Sequence, residues 1–154
     1  MGLLNKMMGL GGAKSDAKKQ EIRDVFNARV ENGAEYTVLA AMNLVTEKKF
    51  LKEVRTYYNY IIGYKDSENP EIVVISTDSE VSRVGEPICC KKSDCLKANY
   101  LEKAGLFTIE HPALENQALN FSIILTSALG YTISVSYLEE YAPFTEFFKT
   151  RFVV

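Results

Sequence analysis

The sequence predicts an α+β domain: a curled antiparallel sheet of six to seven strands, or a partly open barrel, with an N-terminal helix and a C-terminal helix that closes one end. Three observations carry this. Leu119, Phe121, Ile123 and Leu125 alternate with Asn120, Ser122 and Thr126, and Tyr131, Ile133, Val135 and Tyr137 alternate with Thr132, Ser134 and Ser136. Period two, apolar on one side and polar on the other, marks half-buried antiparallel strands. Tyr141, Phe144, Phe148 and Phe152 recur at three- and four-residue steps, one stripe of a helix over about 139–152. Connections as short as Ala128-Leu129-Gly130 join antiparallel neighbours.

The remaining elements follow in chain order. Residues 1–14, with the glycine-rich Gly9-Leu10-Gly11-Gly12, read as a flexible apolar tail ahead of a single domain over 15–154. Leu3, Leu4, Met7 and Met8 would share one face if the tail became helical. Ser15 is a candidate N-cap, and Ile22, Val25, Phe26 and Val30 mark a helix over about 16–31 that stops at Asn32-Gly33. The sheet spans about 35–137. Its first strand, 36–45, is apolar on both faces, as in a strand covered on two sides; its alanines also suit a helix. Segment 46–64 conflicts with itself. Phe50, Leu51, Val54, Tyr57, Tyr58 and Ile61 fit a helical stripe, while the run from Thr56 to Tyr64 is β-branched and aromatic. The reading is a turn or short helix at 46–53, then a strand to about 64. A polar loop at 65–70 leads to a strand at 71–77, completing a hairpin. Further strands are expected at 88–91, 95–100, 106–110, ended by His111-Pro112, and 118–126.

With 154 residues the chain makes one domain with a core. Its 47% apolar and 25% charged residues are ordinary globular values, and a net charge of −2 gives no field for nucleic acid. The longest apolar runs are too short to span a bilayer. Residues 1–10 lack the pattern of a secretory leader, and Lys6 stands where a myristoylation motif wants Ser or Thr. Cys89, Cys90 and Cys95 are an odd count with two adjacent, which suits reduced thiols in the cytoplasm better than disulfides.

Catalytic signatures are missing. No phosphate-binding glycine loop or nucleophile elbow occurs, and His111 is the one histidine. It pairs with Cys95 only in the least favoured reading, an enzyme. The three cysteines lack the knuckle spacing of a zinc site, so no metal and no cofactor is expected. Glu139-Glu140 at a helix start complements the helix dipole.

The element order and the terminal aromatic helix resemble the pleckstrin-homology-like fold over about 35–152. That family's usual tryptophan in the last helix is absent here, and Phe148 takes an equivalent place. The resemblance implies a phosphate site among basic residues around the first strand–strand loop, which would be Lys48, Lys49, Lys52 and Arg55. Function then reads as a non-enzymatic binding or scaffolding domain for a protein partner or a second copy. Two other readings stand beside it. A carrier would use the sheet interior, with Tyr57, Tyr58, Tyr60 and Tyr64 lining a cavity; a peripheral binder of anionic membrane would use residues 1–10 and the basic cluster.

Overall fold

The computed structural model describes residues 3–126 and 130–153, with side chains from Lys14 onward. Seven strands form one antiparallel sheet: β1 (Thr37–Lys49), β2 (Lys52–Lys65), β3 (Glu71–Thr77), β4 (Ile88–Lys91), β5 (Lys97–Leu101), β6 (Leu106–Glu110) and β7 (Ala118–Ile123). Their order is β4-β3-β2-β1-β7-β6-β5. Helix α1 (Leu3–Arg29) precedes the sheet; α2 (Leu138–Phe147) follows it and continues as a π-helical turn over Phe148–Phe152. The α+β class and the antiparallel sheet with a helix at each end of the chain are as the sequence predicts.

The sheet is open, but its edges lie close. β4 and β5 are opposite edges yet consecutive in the chain. The Lys92 amide donates to the Pro70 carbonyl and the Leu96 amide to that of Glu110, so pairing continues to residues 92 and 96. Four residue steps reach at most about 14 Å. Six strand spacings across a flat sheet measure about 29 Å. The sheet must curl for the chain to pass from one edge to the other.

The register explains why the central strands are apolar throughout. Val38, Ala40 and Met42 lie opposite Gly63, Ile61 and Asn59, while Leu39 and Ala41 lie opposite Ile62 and Tyr60. The first set faces α1, whose Ile22 and Phe26 are fully buried, with the Phe26 ring against Gly63. The second faces α2, where Tyr64 meets Phe144 and Phe147 at ring separations of 5.2 and 4.6 Å. In β3, Ile72, Val73, Val74 and Ile75 are all buried for the same reason. Phe107 of β6 centres the aromatic core, with Phe121 at 5.4 Å and Phe144 and Phe148 each at 4.9 Å. The α2 end is tied down by hydroxyl contact between Tyr100 and Tyr141 and by Lys92 donating to the Phe152 carbonyl at 2.6 Å.

Three expectations change. The helix expected at 16–31 runs Leu3–Arg29 and contains the Gly9–Gly12 run; the side chains of Leu3, Leu4, Met7 and Met8 lie outside the described residues. The first strand is where the sequence predicts it, within Thr37–Lys49, and the helical alternative is not taken. Of the turn or short helix expected at 46–53, the turn forms and the helix does not, and the turn is narrowed to Phe50 and Leu51, since β1 continues to Lys49 and β2 begins at Lys52. Residues 131–137 alternate in burial as expected, with Ile133, Val135 and Tyr137 inside, yet form no strand. A tight i→i+2 bond from the Val135 amide to the Ile133 carbonyl folds the segment out of ladder geometry. Three more of its amides go to Asn59 Oδ1 (from Ile133), the Ser15 hydroxyl (from Ser136) and the Ile124 carbonyl (from Tyr137). The turn expected at Ala128-Leu129-Gly130 lies outside the described residues at 128 and 129.

Candidate functional site

β1 and β2 pair over their full lengths, from Thr37–Tyr64 to Lys49–Lys52. Their neighbours stop much earlier. β7 pairs with β1 only at Ala41 and Met42, and β3 leaves β2 at Asn59. Among the described residues, then, 43–49 and 52–58 pair only with each other. They form a two-stranded arm of seven residue pairs, about 20 Å long, that projects from the sheet.

Three local features at its apex oppose folding. Phe50 is fully exposed and Leu51 is 92% exposed, against the tendency of large apolar side chains to be buried. Phe50 has φ +58°, a left-handed conformation that suits glycine and that a bulky side chain rarely adopts. Lys49 and Lys52 face each other across the last rung, where like charges repel. Local rules broken together at one exposed point mark a place shaped by something other than stability.

The basic cluster sits here. Lys48, Lys49 and Lys52 are exposed within two residues of the apex, with Arg55 farther down the arm. Glu47 pairs with Lys49 at 3.6 Å and Glu53 with Arg55 at 3.0 Å, which raises the Arg55 pKa. Lys48 and Lys52 have no acidic partner within ion-pair distance among the described residues. The four cations and two carboxylates leave the arm at +2 in a chain of net −2.

The four tyrosines do not converge. Tyr57 lies on the α1 face and stacks on Tyr131 at 5.0 Å. On the other face Tyr58 is 47% exposed, Tyr60 is half-buried, and Tyr64 packs on α2. Burial pushes the Tyr60 and Tyr64 phenols up. Two surface clefts, of about 340 and 450 Å³, lie elsewhere. Lys19, Arg23, Tyr36 and Glu140 are among the residues lining the first; Arg29, Lys65, Glu71 and Cys89 are among those lining the second. None of the four tyrosines lines either cleft.

Cys89 is exposed, Cys90 buried and Cys95 half-buried. Burial is the main force pushing the Cys89 thiol up to about 11 and the Cys90 thiol up to about 12. Both therefore hold their protons at neutral pH, the opposite of an activated nucleophile. His111 is buried, with Nδ1 accepting from the Ala113 amide.

Sequence reasoning missed Phe50 and Leu51 as site residues because both fit a helical stripe with Val54, Tyr57 and Ile61. The overlooked signal was two apolar residues set between Lys48-Lys49 and Lys52 where a turn was already in view. Comparison of the chain with protein-family models, curated proteins and solved structures finds no match. Among the described residues no helix is long and apolar enough to cross a membrane.

Proposed function

We propose that this chain is a non-enzymatic cytoplasmic binding domain of pleckstrin-homology-like architecture, that the β1–β2 arm is its binding element, and that an anionic membrane surface is what the arm binds. The strand order and the helix packed on the curled sheet support the architecture. The observation that carries the function is the fully exposed Phe50–Leu51 apex with lysines directly behind it. At about 3.3 Å per residue, Lys48, Lys49 and Lys52 stand roughly 3–7 Å behind the tip. An interfacial apolar element sinks about 5–10 Å, to the headgroup–acyl boundary. The apex would enter apolar lipid as the ammonium groups reach the phosphates, each contributing about 1 kcal/mol near an anionic surface. A pocket in a protein could take Phe50 and Leu51 equally well, but it gives no reason for lysines at one height around them.

Co-sedimentation tests this. Vesicles of phosphatidylcholine and phosphatidylserine should retain the full chain at low salt, and phosphatidylcholine vesicles should not. Retention should fall when Phe50 and Leu51 become Ser, when Lys48, Lys49, Lys52 and Arg55 become Ala, and at about 0.5 M salt, where screening shortens to roughly 4 Å. No retention at low salt refutes the membrane reading. A photo-cross-linking phenylalanine at position 50 that then captured protein would leave the arm as a protein-docking element.

A further inference from the structure

A two-stranded ribbon is marginally stable by itself and twists readily, so something at the root must aim this arm. The ladders to β7 and β3 end at Met42 and Asn59. Just beyond that limit, residues 131–133 cross the α1 face of the root. The Asn59 side chain, buried in the sheet, secures them twice: its Nδ2 donates to the Tyr131 carbonyl at 3.0 Å, and its Oδ1 accepts from the Ile133 amide at 3.1 Å. Held there, the Tyr131 ring stacks on Tyr57, which with Leu44 forms the first rung of the arm on this face beyond Met42 and Asn59, with rings 26° apart. Tyr131 is itself 61% exposed, so it adds little to the core. Its contact serves the arm.

We infer that Tyr131 is a positioning residue: stacked on Tyr57 and held in place by Asn59, it braces the β1–β2 arm and fixes the direction in which the apex points. The stack works through ring faces; among the described residues no hydrogen bond of either tyrosine hydroxyl accompanies it. This brace lies in a segment between β7 and α2, about 80 residues along the chain from the arm, so a change in that segment would reach the apex through one aromatic contact. The effect on binding rests on the membrane reading above; the effect on arm order does not.

The experiment is ¹⁵N relaxation on the full chain, comparing the parent with Tyr131→Ala and Tyr131→Phe. Order parameters for amides 46–54 should be near 0.85 in the parent and fall toward about 0.6 in Tyr131→Ala. They should return to parent values in Tyr131→Phe, with both variants melting close to the parent. Retention on the anionic vesicles should drop several-fold in Tyr131→Ala and recover in Tyr131→Phe, because a loose arm must be ordered on binding. An arm as rigid in Tyr131→Ala as in the parent overturns the inference, as does equal loosening in both variants. If the parent fails to bind vesicles, the relaxation result still decides whether Tyr131 braces the arm, so the two failures are distinguishable.

Discussion

The ring of Phe26 lies directly over Gly63, and a methyl group at that glycine would overlap the ring carbons Cζ and Cε2. α1 thus reaches the sheet through the one position of β2 that has no side chain. Gly63→Ala should destabilise the fold by about 2 kcal/mol, as overpacking does. Urea unfolding of Gly63→Ala, Phe26→Leu and the double variant checks this. The double variant should be more stable than the sum of the single losses implies, since a smaller side chain at 26 relieves the clash. Strict additivity would mean α1 docks elsewhere.

Phe148 is fully buried, stacked near Phe152 at 5.7 Å and edge-on to Phe107 at 4.9 Å. Phe148→Ala should cost about 3–5 kcal/mol, the range for truncating a buried Phe. A melting temperature within a degree or two of the parent would show that the C-terminal helix does not close the core.

At Phe50 the expected signs are opposite for stability and binding. Glycine relieves the left-handed backbone, worth about 1–2 kcal/mol, less its own entropic penalty of up to about 1 kcal/mol. Phe50→Gly should therefore fold at least as stably as the parent while losing retention on anionic vesicles. A variant that binds as well as the parent would remove the apex from the site.

The buried Cys90 thiol makes stability depend on alkaline pH. Its pKa, near 9 when unfolded, is pushed up to about 12 in the fold, so the unfolded chain releases its proton first as pH rises. This contribution is complete below about pH 8 and is lost between about pH 9 and 12, by up to roughly 1.4 kcal/mol per pH unit. Cys90→Ala, losing about 1 kcal/mol of packing at neutral pH, should decline less over that range. Parallel pH profiles for the two proteins would contradict this.

Much of the fold was legible because burial follows side-chain period. Strand 106–110 and the aromatic stripe of the last helix fall where alternation and helical spacing place them, and strand 71–77 falls on its continuous β-branched run. Segment 131–137 shows the limit: alternation reports which side chains go inward, and Ile133, Val135 and Tyr137 do, but it does not report a ladder partner. In this segment the Ile133 and Ser136 amides go to the side chains of Asn59 and Ser15. At 46–53 a helical stripe arose by coincidence, because Phe50 and Leu51 are apolar for a reason unrelated to the core. The basic cluster was legible as residues. Its place on an arm was not, since where β7 and β3 leave β1 and β2 depends on the curl of the whole sheet.

The short passage between the two edge strands carries a consequence for how the chain assembles. Among the described residues every ladder but one joins sequence neighbours, making two meanders, β1–β4 and β5–β7. The exception is the seam pairing Ala41 with Ile123 and Met42 with Ser122. Each meander can form from local contacts, while the seam must close a long loop, which places it late and makes it the slow event. A backbone nick between the exposed Ser93 and Asp94 would sever a tether and leave every ladder whole. The two fragments, mixed, should find each other and rebuild the sheet at a rate that rises with concentration, which would make this protein a natural candidate for fragment complementation.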